Sequence, residues 1–182
     1  MKKIVSFLIL TFCMLALLSV GASAQADMGL GTGIFSGELI VPIETSYTWV
    51  IIIDISTEDN LNGVVVQGGI GADLVITQVN GEFVDFPMGK KTSQSKDNVT
   101  LNKKGGNMGA TIVTWDIGDL NAGESDTLYL TVQTWINPQE KQEFTSVGIH
   151  ELDGGFSATY WFGDIEYETE ETIPLTVEAV EE

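Results

Sequence analysis

The 182-residue chain has no arginine, one histidine, His150, and one cysteine, Cys13. Past its first two dozen residues it has no helical periodicity of useful length. Each absence excludes a chemistry. Without arginine there is no planar fork to clamp phosphate or carboxylate bidentately. A single histidine rules out a paired-histidine metal centre within one chain, and no Ser-His-acid arrangement or nucleophile elbow is visible. Cys13 lies inside an apolar run that reads as a removed segment, so the folded part uses no disulfide. At nearly 160 residues that part can bury roughly two-thirds of its unfolded surface without one. Positive charge is also scarce. Eight lysines face 26 carboxylates, a formal net charge of −18. Without Lys2 and Lys3, six lysines face the same 26 carboxylates, giving −20. Nucleic acid and anionic lipid are repelled by such a balance; divalent cations, basic partners and a salty medium suit it.

Lys2-Lys3, the apolar run Ile4–Val20 and the small residues Ala22-Ser23-Ala24 have the order of a secretory signal peptide over 1–24. The expectation is secretion, to the exterior or the cell surface, with no stable membrane span after cleavage. Residues 25–33 are small and Gly-rich and read as a flexible leader. Residues 34–182 read as one domain.

Val113–Val132 organises the rest. Thr111, Val113, Trp115 and Ile117 alternate with Ile112, Thr114 and Asp116, and Leu128, Leu130 and Val132 alternate with Tyr129, Thr131 and Gln133. Leu120–Ser125 is a turn between them, so the two strands read as a paired hairpin. Upstream, 34–43 reads as a strand ending at Pro42. In Tyr47–Ile55 the residues Tyr47, Trp49, Ile51, Ile53 and Ile55 share a face, as a central strand covered on both sides does. Val64–Val66 is a short strand, Gly68–Ala72 a turn and 74–83 a strand. Residues 85–109 form a polar excursion with a weak strand at Asn98–Leu101. Downstream, 143–152 is a strand, and Asp153-Gly154-Gly155 is a tight turn into Phe156–Phe162. Ile165, Tyr167 and Thr169 mark the next strand, and Ile173, Leu175, Val177 and Ala179 the last. Many short strands with Gly turns predict an all-β, antiparallel sandwich.

The stretch Val113-Thr114-Trp115-Asp116-Ile117-Gly118-Asp119-Leu120, followed by Ala122-Gly123-Glu124 and the alternating Thr127–Val132, resembles a known repeat. This is the conserved-repeat, immunoglobulin-like domain of bacterial and archaeal surface proteins catalogued as domain of unknown function eleven. Asn62–Val66 with Gly71–Leu74, and Asn137–Ser146 with Glu151-Leu152, are similar to its flanking segments, so the likeness covers roughly 40–180. It implies a Greek-key immunoglobulin-like sandwich outside the cell, with no established catalytic residues. Here there is one copy, and Ser56-Thr57-Glu58-Asp59 stands where the family usually has Asn-Thr-Gly.

Candidate sites follow from residue types. Gly68–Val75 fits the calcium-binding β-helix nonapeptide, but those sites need stacked copies, and one copy reads as a Gly turn. No cofactor is implied by motif, but acidic loops offer oxygen ligands for Ca²⁺ at Asp54, Glu58 and Asp59, with Asp153 and Asp164 near another loop. Tyr129 and Trp135 lie opposite the apolar face of their strand. Tyr160, Trp161 and Phe162 are consecutive, so at least one points outward. These aromatics either stack sugar rings or pack under a neighbouring loop. Asn98-Val99-Thr100 is an N-glycosylation pattern. Lys90, Lys91, Lys96, Lys103 and Lys104 make 85–109 locally basic, against a lysine-free acidic run over 164–182. That layout suggests salt-sensitive self-association or docking on an acidic partner.

The functional expectation is a secreted or cell-surface, non-catalytic structural or interaction module of the cell envelope, with an envelope protein or glycan as partner. The alternatives are a carbohydrate-binding module using Trp135, Tyr160, Trp161 and Tyr129, and a small hydrolase with a carboxylate pair.

Overall fold

The computed structural model describes residues 26–84, 93–103, 110–136, 141, 142, 144 and 146–181, the backbone alone at 135, 136, 141 and 142. The strands are β1 (Met28–Ser36), β2 (Ile40–Pro42), β3 (Thr48–Thr57), β4 (Leu61–Ile70), β5 (Leu74–Val79), β6 (Glu82–Phe83), β7 (Ser93–Lys96), β8 (Val99–Lys103), β9 (Thr111–Leu120), β10 (Ser125–Ile136), β11 (Lys141–Gln142), β12 (Gly148–Glu151), β13 (Asp153–Phe162), β14 (Ile165–Glu168) and β15 (Thr176–Val180). The first main sheet has the order β1-β3-β10-β5-β6, with β11 on the end of β10. The second has the order β14-β13-β4-β9-β8-β7. Pairing within both is antiparallel. A third sheet, β12-β15-β2, carries the parallel pair β15–β2.

The period-two patterns decide which side of each strand is buried. In the first sheet Trp49, Ile51, Ile53 and Ile55 of β3 lie with Leu128, Leu130 and Val132 of β10 and Leu74 and Ile76 of β5. The second sheet faces them with Val64 and Val66 of β4, Val113 and Trp115 of β9, Leu101 of β8, and Phe156 and Tyr160 of β13. All belong to one buried cluster, to which the third sheet adds Val41, Val177 and Ala179. The result is an antiparallel, immunoglobulin-like β-sandwich in which β10 returns to lie between β3 and β5, a Greek-key arrangement. No helix among the described residues is long and apolar enough to cross a membrane.

The expected hairpin at Val113–Val132 is not one. β9 pairs with β4 and β8, whereas β10 pairs with β3 and β5. Alternation fixes the face a strand buries but leaves open which neighbour bonds its edges. Here the two buried faces meet across the sandwich, and the turn carries the chain from one sheet to the other. The turn is closed by Glu124 N–H to Asn121 O at 3.0 Å. It is tied to the end of β3 by Gly123 N–H to Thr57 O at 2.8 Å and Thr57 N–H to Glu124 O at 3.1 Å.

Other boundaries move for identifiable reasons. The leader contributes Met28–Gly33 to β1. Its Met28, Leu30 and Thr32 face inward opposite Thr57, Ile55 and Ile53, while Gly29, Gly31 and Gly33 face out. The strand expected over 34–43 breaks at Gly37, where φ is +130° and a Cβ would lie 2.2 Å from the Trp49 ring. Just beyond, the Glu38 carbonyl accepts the Trp49 indole N–H at 2.7 Å. Gly68 and Gly69 continue β4 and are not a turn. Asp153 is a buried residue of β13 and not a turn residue. Ile173 is 86% exposed instead of facing the core. The segment around it runs beside β13 on irregular bonds, among them Thr172 N–H to Phe156 O and Phe156 N–H to Thr172 Oγ1, both at 2.9 Å.

Candidate binding faces

Each main sheet turns its second face outward, and the two faces differ. On the first sheet Tyr129 sits opposite Ile52 of β3 on the outer side. A break in register frees Phe35 at the end of β1, and its ring meets Tyr129 edge-on, centroids 5.6 Å apart. Phe83 shares this face through the register Phe83–Gln78–Thr131. Phe35 is 66%, Phe83 82% and Tyr129 37% exposed. Sequence reasoning found Tyr129 and missed both phenylalanines. The signal for Phe35 was the end of the alternation that runs through β1.

On the second sheet the outer face is polar. Gln67 of β4 donates through Nε2 to Thr114 Oγ1 of β9 at 3.1 Å, Ser95 and Thr100 pair at 3.2 Å, and Ser157 Oγ donates to Glu168 Oε1 at 3.4 Å. Trp161, 44% exposed, stands on β13 between Asn62 and Glu166. A groove of about 460 Å³ crosses this sheet, lined by Gln67, Asn102, Thr114, Ser157 and Glu171 over a floor of glycines. None of these lining residues was singled out as a binding residue from the sequence. Gly68 and Gly69 were read as part of a turn and of a calcium-like pattern, not as a binding surface.

Of the other predicted aromatics, Tyr160 is a core residue and stacks on Tyr167 at 5.8 Å. The strand's alternation turns it inward and Trp161 outward. Trp135 is the last but one residue of β10, and its side chain lies outside the described residues.

The acidic candidates do not converge. Asp54, on β3, accepts the Thr127 hydroxyl at 2.7 Å, and Asp59 accepts the Asp27 N–H at 2.9 Å. Glu58 gives its own N–H to Asp27 O. Asp153 is buried, and Asp164 lies in the exposed turn after β13. Among the described residues no three His, Cys, Asp or Glu side chains are gathered to hold a metal ion.

Of the five lysine candidates the described residues include Lys96 and Lys103. Lys96 pairs with Glu82, which raises its pKa through the hydrogen bond and the opposite charge. Lys103 follows Val99 and Leu101 on the inward side of β8, and burial lowers its pKa. Lys96 thus keeps its charge at the surface beside a carboxylate, on the β7–β8 hairpin at the sheet edge, whereas Lys103 is turned into the sandwich. Lys90, Lys91 and Lys104 lie outside the described residues. Asn98 is exposed in the turn of that hairpin. His150, on β12, stacks on Phe144 at 4.1 Å with Nε2 2.8 Å from Ser146 O, the expected strand histidine.

No protein-family model matches the sequence, and no curated protein matches it. Among solved structures the chain is similar to a cohesin module from a family 33 glycoside hydrolase of Clostridium perfringens, at 13% identity and a TM-score of 0.43, over 86% of this chain and 98% of that one. It is similar to the major pilin subunit of Bacillus cereus at 15% identity and a TM-score of 0.43, over 85% of this chain and 40% of the pilin. A family 3b carbohydrate-binding module of Clostridium clariflavum is similar at 11% identity and a TM-score of 0.32, over 87% and 99%.

Proposed function

We propose that this chain is a non-catalytic interaction module working outside the cell membrane, in the envelope or on the cell surface, through its open sheet faces. The observation that carries this reading is the exposed Phe35–Tyr129 pair, with Phe83 on the same face. Large aromatics left in water beside one another, on a sheet whose other side already fills a core, are an interface feature. The secretory pattern of residues 1–24 and the likeness of Val113–Val132 to a surface-protein repeat support the location. The net charge of −18 favours neutral or basic partners over acidic ones.

The test is co-sedimentation of the purified protein with washed envelopes of the producing cell. Retention is expected, and Phe35→Ala with Tyr129→Ala should weaken it by about tenfold or more, as loss of interface aromatics does. Protein that stays in the supernatant at every envelope concentration overturns the reading. The exposed Trp161 on the opposite, polar face favours a second reading, carbohydrate binding.

A further inference from the structure

We propose that the glycine-floored groove across the outer face of the second sheet is a binding site for a neutral saccharide, a ligand class that rests on the interaction-module reading above. The first ground is where side chains are missing. Gly69 lies in the interior of β4, opposite Ile112, with φ outside the left-handed region, and a Cβ there would meet only Ile112 Cδ1, at 3.9 Å. Gly154 lies in β13, and a Cβ there would meet nothing within 4 Å. Glycine in a strand is destabilising, and at neither place does packing require it. A β-branched residue at either would strengthen the strand. What the two glycines keep is space, of the kind a strand leaves where a ligand approaches its backbone.

The second ground is the lining. Gln67 and Asn102 supply amides, Thr114 and Ser157 hydroxyls, and Glu171 a carboxylate, with no cation among the described lining residues. Amides and hydroxyls offer donors and acceptors together, the pattern that hydroxyl groups of a sugar satisfy in both directions. An anionic ligand would meet Glu171 and a strongly acidic protein, with no counter-charge among the described lining residues. The volume of about 460 Å³ is that of a small-molecule site.

The third ground is a platform in line with the groove. Trp161 is on the same outer face as Ser157, four residues along β13, or about 13 Å at the rise of a strand. An oligosaccharide leaving the groove along β13 would reach its exposed ring and stack on it.

The experiment is isothermal titration of the full chain with soluble neutral oligosaccharides of hexose and of N-acetylhexosamine, and with uronic-acid oligomers. Binding of a neutral oligomer and none of the uronic acids is expected. Gly69→Val and Gly154→Val should each weaken binding roughly tenfold or more while leaving the thermal midpoint equal or higher. Gln67→Ala should weaken it too, and serves where a filled groove perturbs the strand. No heat with any neutral oligomer, or affinity unchanged in all three variants, overturns the proposal. Phe35→Ala with Tyr129→Ala should leave this titration unaltered. A failed titration with envelope retention intact therefore removes the groove alone, and a successful one without retention removes the aromatic-face reading.

Discussion

Asp153 Oδ1 accepts the backbone N–H of Leu175 at 3.0 Å, and the same oxygen accepts Gly155 N–H at 3.1 Å. One carboxylate oxygen thus pins the irregular segment after β14 to the start of β13. The other oxygen, Oδ2, is buried without a hydrogen-bond partner among the described residues. Burial raises the pKa above 3.8, the two N–H bonds opposing it. A raised carboxyl pKa favours the protonated form in the folded state. The associated stability is therefore fully present below about 3.8 and is lost as pH rises through the folded-state value. Asp153→Asn keeps an acceptor for both N–H groups and removes the titration. Urea midpoints across acid to neutral pH should show the variant close to wild type in acid and more stable at neutral pH. A constant offset between the two would refute the assignment.

Gly68 and Gly69 are neighbours in one strand and should respond oppositely to a methyl group. At Gly68 a Cβ would lie 2.3 Å from the Phe156 ring and 2.6 Å from the Gly155 carbonyl. Phe156 is fully buried and has nowhere to move. Gly68→Ala should cost about 1–3 kcal/mol or more through overpacking. Gly69→Ala should be neutral or stabilising by up to about 1 kcal/mol. Chemical denaturation of both variants decides it, and equal losses would contradict the placement of the two faces.

Faces were legible in the sequence and partners were not. Trp49, Ile51, Ile53 and Ile55, and Val113 with Trp115, are buried where their alternation places them. That β9 and β10 part at Leu120 depends on the bonds of β9 to β4, far away in sequence, and to the preceding strand β8. Period two carries no record of such contacts. The phase also slips within β9. Gly118, at φ +81°, sits in a bulge opposite Val64, so Leu120 turns inward out of step with Trp115. Glycine hid two further features. With Gly29, Gly31 and Gly33 on its outer side, β1 lacked the polar half of an alternation. Gly69 and Gly154 mark the groove by omission, which a residue-type search for aromatics and acids does not register.

Tyr160 and Trp161 are adjacent, and mutation should separate stability from binding. Tyr160 is buried against Tyr167, so Tyr160→Ala should cost about 3–5 kcal/mol, as large aromatic deletions in cores do. Trp161→Ala should stay within about 1 kcal/mol, because nearly half of its side chain is already in water. Thermal melts of both variants provide the check. A Trp161→Ala variant as unstable as Tyr160→Ala would make the tryptophan a packing residue and remove it from the proposed platform.

Glu124 and Asn121 close the turn that carries the chain between the sheets. Glu124 Oε2 accepts the Asn121 backbone N–H at 2.8 Å and its side-chain amide at 3.1 Å. These two bonds lower the Glu124 pKa below 4.5, the backbone bond contributing most. A depressed carboxyl pKa gives stability that is present above 4.5 and is lost as pH falls through the folded-state value. The group is exposed, so the effect on global unfolding should be small. The informative measurement is local: a carbon-detected titration of the Glu124 carboxyl together with hydrogen exchange at the Asn121 amide. The carboxyl should titrate below 4.5, and exchange at Asn121 should quicken over the same acid range. Asn121→Ala removes only the weaker side-chain bond, so the midpoint should rise part of the way. A midpoint at or above 4.5 in the wild type would mean that the carboxylate does not hold the turn, and that its other bonds, from Glu124 N–H to Asn121 O, to Thr57 and from Ala122 N–H to Asn60 Oδ1, hold it without the carboxylate.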